Sequence, residues 1–246
     1  MGFVLTLKQP LHTLLDLEPL SGCTQSGKDE IAGVSLRYGR DCVRTDALFK
    51  RSETADDGLT LTGDLLLAVN AGAGMRSGKM TVESSVGAGA GARMEDGELT
   101  IRGDAGKNAC ASMQNGFVRI CGNVDGGFAQ DVRRGMLIVE GKADGEACAG
   151  FRGGTAVLLG GVADETLLAR GMHRGTILLP KGAAAPKGFS RAADVDLVFL
   201  RLLFRLLGER GVSLPDGWAG GVFTRWAGDA AGLGKGELFI PAEVRP

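Results

Sequence analysis

Histidine is almost missing from this chain: His12 and His173 are the only two in 246 residues. Neither stands at a metal-ligand spacing from another donor, so a histidine-rich metal centre is not expected, and His173, just before Arg174, reads as a surface residue. The five cysteines, Cys23, Cys42, Cys110, Cys121 and Cys148, include no Cys-x-x-Cys. Their wide spacing fits neither a zinc nor an iron–sulfur framework, and reduced, packed thiols are expected. No apolar run approaches membrane-spanning length, and the opening residues Met1 to Lys8 lack the basic region and apolar stretch of a signal peptide. A cytoplasmic protein is expected, with no membrane partner. The formal net charge is −1, which supplies no general excess for nucleic acid or an anionic surface; any charge-driven contact must be local. No Gly-x-Ser-x-Gly elbow occurs, and Gly87-x-Gly89-x-Gly91 lacks the spacing and following helix of a dinucleotide fingerprint.

What the chain has instead is glycine, 41 residues of it, without the three-residue period or proline excess of collagen. Gly78, Gly97, Gly116, Gly135 and Gly154 recur every nineteen residues, and a step of 21 reaches Gly175. A fixed short period means one supersecondary unit copied along an axis. With each of these glycines as position zero, position +2 is Met80, Leu99, Val118, Leu137, Ala156 and Ile177, and position +4 is Val82, Ile101, Ile120, Val139, Leu158 and Leu179. Apolar residues alternating with polar neighbours predict a short strand in every unit, with one face buried. Position −3 holds Met75, Met94, Met113, Val132, Phe151 and Met172, a further apolar column. Between them lie runs of Gly, Ala and other small residues, where each glycine in a helix would cost about 1 kcal/mol relative to alanine.

Stacked units about 4.8 Å apart, like residue over like, satisfy all these columns. The predicted fold is mainly β, a parallel β-helix over residues 56–181 whose first coil has Asp57 at position zero, Leu59 and Leu61 in the strand and Gly63 at the turn. Cys110 and Cys148 share a small-residue column with Gly91 and Ala129 and read as interior. Residues 1–55 are expected to cap one end. Residues 182–246 are expected to supply a linker, a helix N-capped by Asp194 and running to about Leu207 before Gly208, and an aromatic tail that caps the other end or meets a partner. The helix is apolar almost all round. Phe204, Trp218 and Trp226 are therefore candidate partner anchors, with folding back onto the chain as the alternative.

The Gly87-x-Gly89-x-Gly91 run, followed by Gly97 and the later Gly-x-hydrophobic-x-hydrophobic-x-Gly units, resembles the GXGXG domain. That domain forms the C component of formylmethanofuran dehydrogenases and the C-terminal part of the glutamate synthase large subunit. The chain is most similar to the bacterial branch, the C component of formyltransferase/hydrolase complexes. The resemblance implies a right-handed β-helix and a noncatalytic scaffold within a cytoplasmic one-carbon complex, with hydrolase-like and formyltransferase subunits as partners. The complex would use a methanofuran-type carrier, and this chain alone would bind no cofactor or metal. The corresponding component of a molybdenum or tungsten formylmethanofuran dehydrogenase and a glutamate synthase relative stay open as alternatives. A left-handed β-helix acyltransferase needs a six-residue aliphatic rhythm that this chain does not keep.

Positions −2 and −1 change character along the axis: Arg76-Ser77, Glu95-Asp96, Gln114-Asn115, Arg133-Arg134, Arg152-Gly153 and His173-Arg174. Arg133, Arg134, Arg152 and Arg174 would fall within about 10 Å of axial distance. No catalytic residue is assigned. These arginines are candidates for contact with the polyglutamate tail that the resemblance gives the carrier, or with an acidic partner surface; a solvated face is the third reading.

Overall fold

A computed structural model describes residues 2–24, 28–228 and 234–243. Its strands form one mixed sheet of twelve and one of four. In the larger sheet the repeat strands Leu59–Thr62, Lys79–Val82, Glu98–Ile101, Phe117–Ile120, Met136–Val139, Thr155–Leu158 and Arg174–Leu178 pair in chain order, all parallel. Register follows the period: Leu99 lies opposite Val118, Val118 opposite Leu137, and Leu137 opposite Ala156. A second parallel ladder runs through Leu65, Val86, Ala105, Val124, Ala143 and Val162 at the far side of each unit. The +2, +4 and −3 columns are buried throughout, as are Cys110 and Cys148. The coil begun by Asp57 takes its place in the stack through Leu59 and Leu61.

The glycine at position zero is required twice over. Gly97, Gly116 and Gly135 have φ of 106°, 111° and 103°, a region that side chains rarely adopt. A Cβ on Gly116 would also stand 2.8 Å from the Gly97 carbonyl oxygen and 2.8 Å from the Met94 terminal methyl. That carbonyl is the acceptor for the Phe117 amide at 2.9 Å, the bond that opens the strand ladder. The glycine and methionine columns are thus one packing solution repeated up the stack.

The small-residue runs are not helices. Positive φ recurs at every second residue, at Asn70, Gly72 and Gly74, then Gly89, Gly91 and Arg93, Asn108, Cys110 and Ser112, and Gly127, Ala129 and Asp131. This alternation directs successive amides to opposite neighbours. Cys110 N–H donates to the Ala90 carbonyl of the preceding unit, whereas Asn108 N–H and Ser112 N–H donate to Gly126 and Gln130 of the following one. Left-handed backbone costs about 1–2 kcal/mol per non-glycine residue, and the paired amides offset that cost, since unpaired buried ones would lose about 1–3 kcal/mol each. A side-chain ladder adds to this at position +7. Ser85 Oγ accepts from Asp104 N–H (2.9 Å), Asp104 Oδ1 from Asn123 N–H (2.6 Å), and Asn123 Oδ1 from Lys142 N–H (2.9 Å).

Both ends of the stack are extended by strands outside the repeat. Gly2–Leu7 pairs parallel with Leu59–Thr62, and Phe49–Thr54 then pairs antiparallel outside it. At the other end Lys235–Pro241 pairs parallel with Arg174–Leu178, followed by Phe223–Gly228 and Ser190–Val195, both antiparallel. Each reversal of direction ends the parallel series on an edge strand carrying charges, Lys50, Arg51 and Glu53 on one side and Arg191 and Asp194 on the other. Charged edges discourage further strand addition.

The C-terminal helix spans Val198–Glu209, later than expected. Asp194 is not its N-cap: it lies in the Ser190–Val195 strand, where Oδ1 accepts from Arg191 Nη2 (2.6 Å) and Thr224 Oγ1 (2.8 Å). The cap position is Leu197, without a side-chain bond, and Gly208 is inside the helix. The helix buries Leu200, Leu203, Phe204 and Leu207 on Ile138, Val157, Leu178 and Phe239, each burial contributing about 1.5–3 kcal/mol. Its C-terminal end is held by Arg119, only 14% exposed. Arg119 pairs with Glu140 (2.5 Å) and donates to the carbonyls of Arg210 (3.2 Å) and Gly211 (2.9 Å). A cation there also opposes the negative end of the helix dipole.

Two glycine substitutions should separate these constraints. Gly116→Ala is expected to destabilise by about 2–4 kcal/mol through strained φ and the Met94 clash. Gly208→Ala, where no atom lies within 4 Å of an added Cβ, should stabilise by about 0.5–1 kcal/mol. Urea unfolding of both variants measures the difference.

Candidate functional site

The corner that carries the arginines is fixed by backbone before any side chain acts. At position −2, Gln114 N–H donates to Met94 O (2.8 Å), Arg133 N–H to Met113 O (2.9 Å) and Arg152 N–H to Val132 O (2.8 Å). Each unit therefore presents an exposed −2 residue one repeat above the last, and all but the unit of Arg152, where Gly153 is buried, add an exposed −1 residue before the glycine at zero. Arg133, Arg134, Arg152 and Arg174 are all exposed.

They are not four equivalent cations. Arg152 is neutralised by Asp131 Oδ1, with Nη2 at 3.0 Å and Nε at 3.2 Å, and Asp131 sits in the left-handed −4 column, outside the columns that defined the corner. Arg93, in the same −4 column, forks onto Glu18 at 3.0 and 3.1 Å, and Arg76 meets Glu95 at 3.4 Å. The side chains of Arg133, Arg134 and Arg174 have no hydrogen-bond or ion-pair partner among the described residues. An open depression of about 370 Å³ is lined by Arg93, Ser112, Gln114, Asp131, Arg133 and Arg152. Its chemistry is anion-accepting through Arg133, with the other two guanidinium groups already satisfied.

The aromatic anchors fare differently. Phe204 and Trp218 are buried inside the chain, 5.4 Å apart between ring centroids, and both meet Phe223, Phe204 tilted at 5.5 Å and Trp218 edge-on at 5.6 Å. They are core residues that seat the helix, and they cannot anchor a partner. Trp226 is half-buried against the main core and lines a cavity of about 300 Å³ with Arg191, Asp194 and Thr224. The apolar side chains left outside are ones the sequence pattern did not single out as anchors: Val198 (68% exposed), Phe199 (47%), Leu202 (58%) and Leu206 (37%). A signal for the docking was present at position +3, where Thr81, Thr100 and Arg119 give way to Ile138, Val157 and Leu178. An outward column turning apolar announces a cover.

Among the described residues no group of three or more His, Cys, Asp or Glu side chains is placed to hold a metal ion, and no helix is long and apolar enough to cross a membrane. Burial pushes the Cys148 thiol up to about 12 and the Cys110 thiol higher still, with Cys148 as a second, smaller cause for Cys110. Burial also raises Cys121, which lies beside Glu140, Arg119 and Arg102.

No family model matches the chain. Over 54 residues it is 44% identical to the C component of the formyltransferase/hydrolase complex Fhc of Methylorubrum extorquens, a stretch that is 22% of this chain and 20% of that protein. Over 98% of its length it superposes on the whole of one chain in the X-ray crystal structure of the formyltransferase/hydrolase complex from Methylorubrum extorquens in complex with methylofuran, with a TM-score of 0.75 and 27% identity. The curated relative is thus matched over about a fifth of its length. The resemblance to the C component of that complex stands.

Thiol labelling checks the burial. At pH 8 a small alkylating reagent should modify exposed Cys42 first and leave Cys110 and Cys148 untouched until the chain is unfolded, since the thiolate is the reactive form. Mass spectrometry of the labelled peptides reads the order.

Proposed function

We propose that this chain, similar along its length to a component of the formyltransferase/hydrolase complex, is a structural, noncatalytic subunit of such a complex in the cytoplasm. The observation that carries the reading is the two-way extent of the match, 98% of this chain and 100% of the other. A shared repeat alone would leave the end strands and the C-terminal helix unmatched. In this reading the complex moves a formyl group between tetrahydromethanopterin and a methanofuran-type carrier and releases formate. The hydrolase-like and formyltransferase subunits do the chemistry. The chain's own residues support a scaffold role because most of its repeat columns are spent on stacking, in the glycine–methionine contacts, the alternating amides and the +7 ladder.

We read the stacked units as a right-handed parallel β-helix over residues 56–181, with 1–55 and 182–246 closing its ends. Two parallel ladders at the same nineteen-residue offset support this. The unpaired Arg133, Arg134 and Arg174 are assigned to an acidic surface, either on a partner subunit or along the glutamyl tail of the carrier.

Affinity purification of the tagged chain from its own host, with partners identified by mass spectrometry, tests the assembly. Formyltransferase and hydrolase-like subunits are expected in fixed ratio; glutamate synthase subunits, or a fully active monomer, would sink the reading. Arg133→Glu with Arg174→Glu should weaken partner or carrier retention by about tenfold, an effect that shrinks as salt screens it.

A further inference from the structure

Helix Val198–Glu209 is amphipathic in two directions. One face seats it on its own chain through Leu200, Leu203, Phe204 and Leu207. The opposite face leaves Val198, Phe199, Leu202 and Leu206 in solvent, four of the nine large apolar side chains that stay exposed among the described residues. Their spacing at i, i+1, i+4 and i+8 forms a single stripe. Isolated exposed apolar residues need no explanation, whereas a continuous stripe on a rigidly seated helix marks a contact surface.

Charge identifies what covers it. Arg201 beside the stripe is satisfied by Asp196, but Arg205, one turn further along, has no partner among the described residues. The helix rests on Ile138, Val157 and Leu178 of the repeat strands, with Phe117, Met136 and Leu159 at the margins of its cluster, and the Arg210 guanidinium lies 4.1 Å over the Phe117 ring. Unpaired Arg134 stands two residues ahead of Met136, and unpaired Arg174 opens the Arg174–Leu178 strand. Of these arginines Arg205 lies on the helix itself, so uncompensated positive charge borders the stripe there. A second copy docked stripe to stripe would bring the same unpaired arginine against its own counterpart.

We infer that the outer stripe of this helix, Val198, Phe199, Leu202 and Leu206, is the docking surface for a different member of the same assembly, one that presents an apolar helix or groove rimmed by carboxylates. The inference rests on the assembly reading above and adds the surface and the chemistry of its occupant. Apolar burial supplies the affinity, while Arg205 sets the orientation and the rate of encounter. Because these side chains already face solvent, changing them leaves the chain's own core intact.

The test uses the complex recovered through a tag on the full chain. Leu202→Glu combined with Leu206→Glu should lower partner retention about tenfold or more, with the melting temperature of the purified chain unchanged within about 2 °C. Leu167→Glu, at an exposed leucine outside the helix, should retain partners like the unaltered chain. Arg205→Glu should weaken assembly at low salt, and raising salt should erase the difference. If the unaltered chain recovers partners and the double variant recovers them equally while folded, the docking inference is overturned and the assembly reading survives. If the unaltered chain recovers none, both fall together. Should the isolated chain be a dimer that Leu202→Glu converts to a monomer, the occupant is a second copy and the assignment to a different protein is wrong.

Discussion

Everything in this molecule depends on how closely one unit can approach the next at position zero. The strand ladder requires the amide after each glycine to reach the preceding glycine's carbonyl at 2.9 Å, as Phe117 does to Gly97 and Met136 to Gly116. At that separation there is no room for a Cβ, and the volume a side chain would have filled is occupied by the terminal methyl of Met75, Met94 or Met113 from the unit before. Methionine suits the place because its unbranched thioether adapts to irregular space. Where Phe151 takes the position instead, its ring edge lies over Gly175.

With that approach fixed, the rest of each unit must satisfy its backbone against neighbours at the same spacing. The alternation of left-handed residues does so on the side away from the strands, sending amides up and down in turn. It also explains two glycines of the Gly87-x-Gly89-x-Gly91 run, since Gly89 and Gly91 have positive φ, whereas Gly87 is held by close approach: a Cβ there would stand 2.9 Å from the Ala68 carbonyl oxygen. Three alternate positions in each of the first four units, and two in each of the last two, have positive φ, and glycine meets that need at least cost. Later units fill the same positions with Asn, Cys, Ser, Ala and Asp, and part of this freedom shapes the surface: Asp131, placed by its left-handed backbone, is the residue that neutralises Arg152.

The C-terminal helix turns a regular stack into a polar object with distinct faces. Four of its apolar side chains cover the outward +3 column, Arg119 and Glu140 lock its end, and a different four remain outside. Assembly through a seated helix is economical, because its position is set before the partner arrives and little ordering entropy is lost on docking.

Sequence alone determined the repeat, its register and its interior. The glycine period, the alternating +2 and +4 columns and the methionine column are local consequences of one unit being copied, and each can be read from spacing without knowing where the chain goes next. The arginine corner was legible for the same reason. Tertiary structure decided whatever depends on contacts between segments distant in the chain. Asp131 pairs with Arg152 across columns, Asp194 is drawn into a strand by Arg191 and Thr224, and Phe204 and Trp218 are buried because Ile138, Val157 and Leu178 offer them an apolar floor from earlier in the chain. A helix that is apolar all round does not say which side faces its own chain. That choice is made by the surface it lands on, and here the landing surface leaves Val198, Phe199, Leu202 and Leu206 for another molecule.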